Sequence, residues 1–172
     1  MRILMLLPFY GQAHALPTGA FITSREYARG LVASGHDVHV VMTAHTTGRP
    51  RVEDGVHTWP ASHWWRAIQA HKPELLISHH GDPRAARMTA AAGRVPHLLM
   101  VHGMTANRNL GRPALAWFPS NACREHYPHG GPSLVLAPPV DPEAYRTLPG
   151  DMVTLSGSSV AKGADVLREV AQ

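Results

Sequence analysis

Cysteine is nearly absent: Cys123 stands alone among 172 residues, so no disulfide can close within the chain and no multi-cysteine zinc site can form. That scarcity suits a reducing compartment, and a cytoplasmic protein is the expectation. Charge is sparse as well, at 16% of residues against 44% hydrophobic, the balance of a globular chain with no polar tract long enough to stay disordered. Long apolar runs are missing, and a membrane span of about 20 apolar residues finds no place. The opening Arg2, the run Ile3 to Leu7 and the triplet Ala13-His14-Ala15 imitate a secretory leader, but Pro8 cuts the run short of the roughly 7–15 apolar residues that a leader needs. No G-x-G-x-x-G follows that run, which disfavours a nicotinamide-binding Rossmann domain. A basic stripe interleaved with aromatics is also lacking. Arg25, Arg29, Arg49, Arg51, Arg84 and Arg87 are scattered singly, so the net charge of +4 points to an anionic small molecule and not to nucleic acid.

What is present begins with a strand, loop, helix and strand. Arg2 to Leu7 is a continuous apolar run of the kind buried on both faces of a parallel sheet, and Pro8 ends it. Phe21, Ala28, Leu31 and Val32 fall on one side of a helix from Phe21 to Ser34, which Gly35 terminates, and Val38 to Met42 resumes a strand. This is a βαβ unit, whose right-handed crossover leaves the loop Phe9 to Ala20 at the carboxyl edge of the sheet, where ligands bind in open α/β folds.

The alternation continues. Ala44 to Asp54 reads as a surface loop and Val56 to Trp59 as a short outer strand. Ser62 is placed to cap a helix through Trp64, Trp65, Ala67 and Ile68 to about His71, and Leu75 to Ser78 is the next strand. Asp82-Pro83 forms an N-cap and first-turn pair for a helix through Ala92, closed by Gly93, before the apolar run His97 to His102. Met104 to Pro113 has no periodicity and reads as a mobile loop. A strand at Ala114 to Phe118, a short helix at Ser120 to Tyr127 and a strand at Ser133 to Ala137 follow. Strands separated by helices of this length predict a doubly wound parallel sheet, and 172 residues give room for one well-buried domain of ordinary size. Pro138-Pro139-Val140-Asp141-Pro142 and the turn-rich Thr147 to Asp151 read as a hinge, after which Met152 to Ser156 and Lys162 to Ala171 begin a fresh strand and helix.

Taken in order, these segments resemble the amino-terminal half of a GT-B glycosyltransferase of the retaining family 4 type. The resemblance runs through Pro17-Thr18-Gly19 after the first strand and Gly35-His36-Asp37-Val38-His39-Val40-Val41, similar to a G-H-(D/E)-V-x-V-V strand. It continues through Pro73-Glu74-Leu75-Leu76-Ile77-Ser78-His79-His80, Val95 to Gly103 with its His102-Gly103 end, and Pro119-Ser120-Asn121-Ala122. Pro138 to Tyr145 resembles the interdomain linker, and Ser156 to Gly163 the turn that opens a donor domain. The resemblance implies a Rossmann-like doubly wound parallel sheet flanked by helices, with residues 1–150 as acceptor-type domain and linker and 151–172 as a truncated start of the donor domain. It implies transfer of a sugar from a nucleotide-sugar donor to an acceptor small molecule or glycan, with no cofactor beyond the donor. Ser158 and Ser159 stand where the family has an arginine, and the family's glutamate-containing nucleotide-sugar motif has no counterpart. The 172-residue chain alone is therefore expected to be inactive. The alternative is a non-catalytic remnant or fragment that binds an acceptor or a partner, and self-association through a sheet edge or the 151–172 segment stays open.

The candidate site follows from the sheet edge and the resemblance together. His102 ends a strand where an imidazole can hydrogen-bond a sugar hydroxyl near neutral pH, and is the catalytic candidate. Thr18, Gly19 and His80 are the acceptor-binding candidates. Gly19 serves either the turn alone or the approach of a ligand oxygen to backbone N–H groups. Lys162 is the donor-phosphate candidate or a solvated surface lysine. Adjacent His79 and His80 point to opposite faces of a continuing strand, so a metal cluster of His79, His80, Asp82 and His102 is the weaker reading and no metal is expected. Trp64 and Trp65 offer stacking surfaces, at least one of them belonging to the core.

Overall fold

The computed structural model describes residues 1–11 and 19–139, with Val166, Arg168 and Glu169, which are helical and exposed. The chain divides into two compact units, Met1–Pro139 and Val140–Gln172, and the fold described below is that of the first. No helix among the described residues is long and apolar enough to cross a membrane.

Among the described residues, eight strands form one sheet. They are β1 (Arg2–Leu7), β2 (Asp37–Met42), β3 (Arg51–Glu53), β4 (Val56–Pro60), β5 (Leu75–His79), β6 (His97–Met100), β7 (Leu115–Phe118) and β8 (Ser133–Val135). The spatial order is β3-β4-β2-β1-β5-β6-β7-β8, parallel except for the antiparallel β3–β4 pair. The helices are α1 (Gly19–Ala33), α2 (Trp64–His71), α3 (Pro83–Ala92) and α4 (Asn121–His126). This is an α/β architecture compatible with a Rossmann-like fold.

β1 lies in the middle because its side chains are apolar on both faces. Ile3, Met5 and Leu7 pack with Ala28, Tyr27, Leu31 and Val32 of α1, whereas Leu4 and Leu6 pack with Ala67 of α2 and Ala85 and Met88 of α3. A third cluster, around Phe118, Ala116 and Leu99, is closed by Cys123 of α4 and by Tyr127. Each fully buried Leu, Ile or Met contributes about 1.5–3 kcal/mol relative to exposure, which is why five such residues in succession make β1 the core strand. From β1 the chain first moves outward through β2 and β4 and then returns to β5 on the other side, so the order reverses between β1 and β5.

Local chemistry explains most boundaries. Gly35 adopts φ 82°, and the His36 N–H bonds back to the Leu31 carbonyl at 3.0 Å, a glycine-terminated helix end. Asp82 caps α3 by accepting from the Arg84 and Ala85 N–H groups at 2.9 and 3.2 Å, with Pro83 in the first turn. Ser120 caps α4 through the Cys123 N–H at 3.1 Å.

Two expectations are corrected. The stretch that reads as a surface loop contains β3, which makes β4 an inner strand. The Asp54-Gly55 pair, at φ 53° and 75°, forms the tight turn of a two-residue hairpin, and half-exposed Arg51 to Glu53 lacks the apolar alternation that marks strands. Ser62 does not cap α2. A 3₁₀ turn, Ala61–His63, starts the helical path two residues earlier than a Ser62 cap would, the Ala61 N–H is bonded to the His45 carbonyl at 2.7 Å, and the cap position of α2 falls on His63 with no side-chain bond. Met104 to Pro113 is irregular as expected, and hydrogen bonds hold its start. The Tyr127 hydroxyl donates to the Gly103 carbonyl at 2.7 Å and accepts from the Thr105 N–H at 3.0 Å.

Candidate functional site

The carboxyl ends of β1, β5 and β6 open onto one region, bordered by the first turns of α1 and α3. The reversal of strand order at β1 and β5 sends α1 and α3 to opposite faces of the sheet, which leaves a crevice between their amino ends, the usual ligand position in open α/β sheets.

His79, the last residue of β5, and His102, two residues beyond β6, stack with ring centroids 4.8 Å apart and planes 21° from parallel. The Ser24 hydroxyl of α1, itself buried, shares a 3.3 Å hydrogen bond with His102 Nε2, and the Trp117 ring meets His102 edge-on at 5.8 Å. Burial, with a smaller contribution from neighbouring His79, pushes the His102 pKa down to about 4. Burial lowers His79 as well. Near neutral pH both rings are therefore uncharged, and each offers one donor and one acceptor nitrogen.

His80 faces the other way, as strand alternation requires. Its ring meets Tyr127 edge-on at 5.2 Å, burial lowers its pKa, and its buried Nε2 has no partner among the described residues. Asp82 is committed to local structure. One carboxylate oxygen caps α3, the other accepts from the Thr43 hydroxyl, and Arg84 Nη1 donates to the Thr43 carbonyl at 2.7 Å. This lock joins the end of β2 to the start of α3 and leaves Asp82 poorly placed to share a metal with the histidines.

Three cavities surround these groups. One of about 200 Å³ lies between Leu7, Pro8, Phe9, Ala20, Phe21, Ser24 and His79. A second, of about 480 Å³, runs past Pro8, Thr43, His79, His80, Asp82 and Arg84. A third of about 480 Å³ lies between His79, His80 and the loop residues Asn107, Asn109 and Gly111. The larger two are within the roughly 300–1,000 Å³ range of small-molecule sites.

Of the residues singled out from sequence, His79, His80 and His102 share this edge with Gly19, the exposed first residue of α1, where an added Cβ would meet no atom of the described residues within 4 Å. Thr18 and Lys162 lie outside the described residues. Trp64 packs into the core beside α3, and Trp65 is 48% exposed. Sequence reasoning misses Ser24, Thr43 and Arg84. Ser24 is a serine inside a helix with no local signal, and Thr43 and Arg84 acquire their roles only when β2 and α3 meet. Comparison with protein-family models and with curated proteins finds no match to this chain.

Proposed function

We propose that this chain supplies the acceptor-binding domain of a retaining glycosyltransferase with the GT-B fold, and that His102 is the group that meets the acceptor hydroxyl. The observation that carries the reading is the neutral His102–His79 pair, anchored by Ser24 beside the crevice at the strand-order reversal. The motif order from Gly35 to Gly103 supports it independently. A neutral imidazole whose orientation is set by a buried hydroxyl can take part in one further hydrogen bond, suited to a sugar hydroxyl whose proton is lost during transfer. Gly19 leaves backbone N–H groups at the start of α1 open to a ligand oxygen. The nucleotide sugar belongs to a second domain in this reading, with Lys162 against its diphosphate.

The test is a titration of the protein with a panel of glycans and with nucleotide sugars, read through the histidine ring resonances. Glycan-dependent shifts at His102 and His79, lost in a folded His102→Ala variant, are expected. Saturable glycan binding that leaves those resonances unmoved, or none across the panel, would overturn the reading.

A further inference from the structure

The opposite, amino edge of the sheet carries a second cluster that sugar transfer does not use. Asp37 and His39 begin β2 and, two residues apart, share one face of the strand, and His71 ends α2 directly above them. The His71 side chain is 1% exposed and that of His39 11%, while Asp37 is half exposed and connects the group to solvent.

His71 is oriented from behind. Its Nε2 lies 3.1 Å from the Ile3 carbonyl, which accepts only, so the ring proton sits on Nε2 and the Nδ1 lone pair faces Asp37. Nδ1 is 3.4 Å from Asp37 Oδ2, and His39 Nε2 is 3.5 Å from Asp37 Oδ1. A lone pair facing a carboxylate oxygen at that distance repels unless a cation joins them. One ligand atom from each of the three residues falls within 4.8 Å of the others. A tetrahedral zinc ion with bonds of about 2.0–2.1 Å has ligand-to-ligand edges of about 3.3 Å, close to the distance of each imidazole nitrogen from its own Asp37 oxygen, Oδ2 for His71 and Oδ1 for His39.

We propose that Asp37, His39 and His71 form a zinc site that ties the end of α2 to β2, with water in the fourth position. The two-nitrogen, one-oxygen donor set suits zinc, and the carbonyl behind His71 is the kind of outer partner that holds a ligating histidine in place. Two local changes accompany binding. The Trp59 indole N–H donates to His39 Nδ1 at 3.1 Å, so Nε2 carries the proton, and ligation requires that proton to move to Nδ1 and the indole to turn away. The His39 and His71 rings, stacked at 3.8 Å, must also tilt apart so that both lone pairs reach one ion. Trp59 therefore opposes the metal. The ligands come from positions 37, 39 and 71, a spacing that no short sequence motif covers.

Calorimetric titration of the whole chain with zinc chloride, paired with cobalt substitution, tests the proposal. One equivalent is expected to bind, cobalt to show the visible absorption of a four-coordinate site, and zinc to raise the melting temperature. Asp37→Asn and His39→Gln should each weaken binding about tenfold or more, Trp59→Phe should tighten it, and the distant His129→Gln should change nothing. Replacement of buried His71 threatens the fold, so the decision rests on the other two ligands. Absence of one-to-one binding overturns the site, as does affinity that survives both Asp37→Asn and His39→Gln, which would place the zinc on other histidines.

Discussion

Gly19 opens α1 with nothing among the described residues within 4 Å of where a side chain would start, and its φ lies outside the positive range that only glycine tolerates easily. A larger residue there is therefore accommodated by the fold, and under the proposed function it meets the acceptor. Gly19→Val is expected to leave stability within about 0.5 kcal/mol while weakening glycan binding, because valine is no worse than glycine in a helix. Thermal melts and glycan titrations on matched samples check this, and a variant that unfolds would assign the glycine to the turn alone. Gly11 is the contrasting case. It has φ 66°, and a Cβ would fall on the Glu53 carboxylate, so Gly11→Ala is expected to destabilise where Gly19→Val does not. At this scale the site is partly legible in the sequence. A histidine at each of two strand ends is visible there, but the Ser24 hydroxyl that orients His102 is not, since the two are 78 residues apart and meet only through the packing of α1 on the sheet.

Among the elements, α3 depends on a single side chain for its start. Asp82 satisfies two otherwise unpaired N–H groups at its start and also receives the Thr43 hydroxyl from beyond β2. Asp82→Ala is expected to cost about 0.5–2 kcal/mol from the lost cap, with the missing Thr43 contact pushing it toward the upper end. Urea unfolding of the two proteins measures it, and a change indistinguishable from zero would mean that the lock between β2 and α3 is idle. Caps of this kind are local, so Asp82-Pro83 and Ser120 are legible in the sequence itself. β3 is not, because a three-residue edge strand buries little and carries no apolar alternation, although its Asp54-Gly55 turn is a usable signal. The start of α2 escapes for a different reason: the contact of Ala61 with His45, and not the capping chemistry of Ser62, decides where the helical path begins.

On the scale of the whole molecule, the buried histidines set the response to acid. His39 and His102 are held at about pKa 4, and His71, His79, His80 and His97 are also lowered from 6.5, burial being the largest cause for each. Above about pH 7 these groups are neutral in both folded and unfolded chains and stability is flat. As pH falls from about 6.5 towards about 4 the unfolded chain takes up protons that the folded one refuses, so stability is lost across that window. Melting temperatures recorded through it should fall steadily, and a flat profile would contradict the burial of these rings. What the sequence alone determined is the alternation of strands and helices and the burial of β1 on both faces, because apolar periodicity and caps are properties of neighbouring residues. Only the tertiary structure decided the strand order with its reversal between β1 and β5, the joining of His79, His102 and Ser24 at one edge, and the meeting of Asp37, His39 and His71 at the other. Those arrangements bring together residues tens of positions apart, and it is the burial of shared apolar faces, not any local preference of the chain, that holds them there.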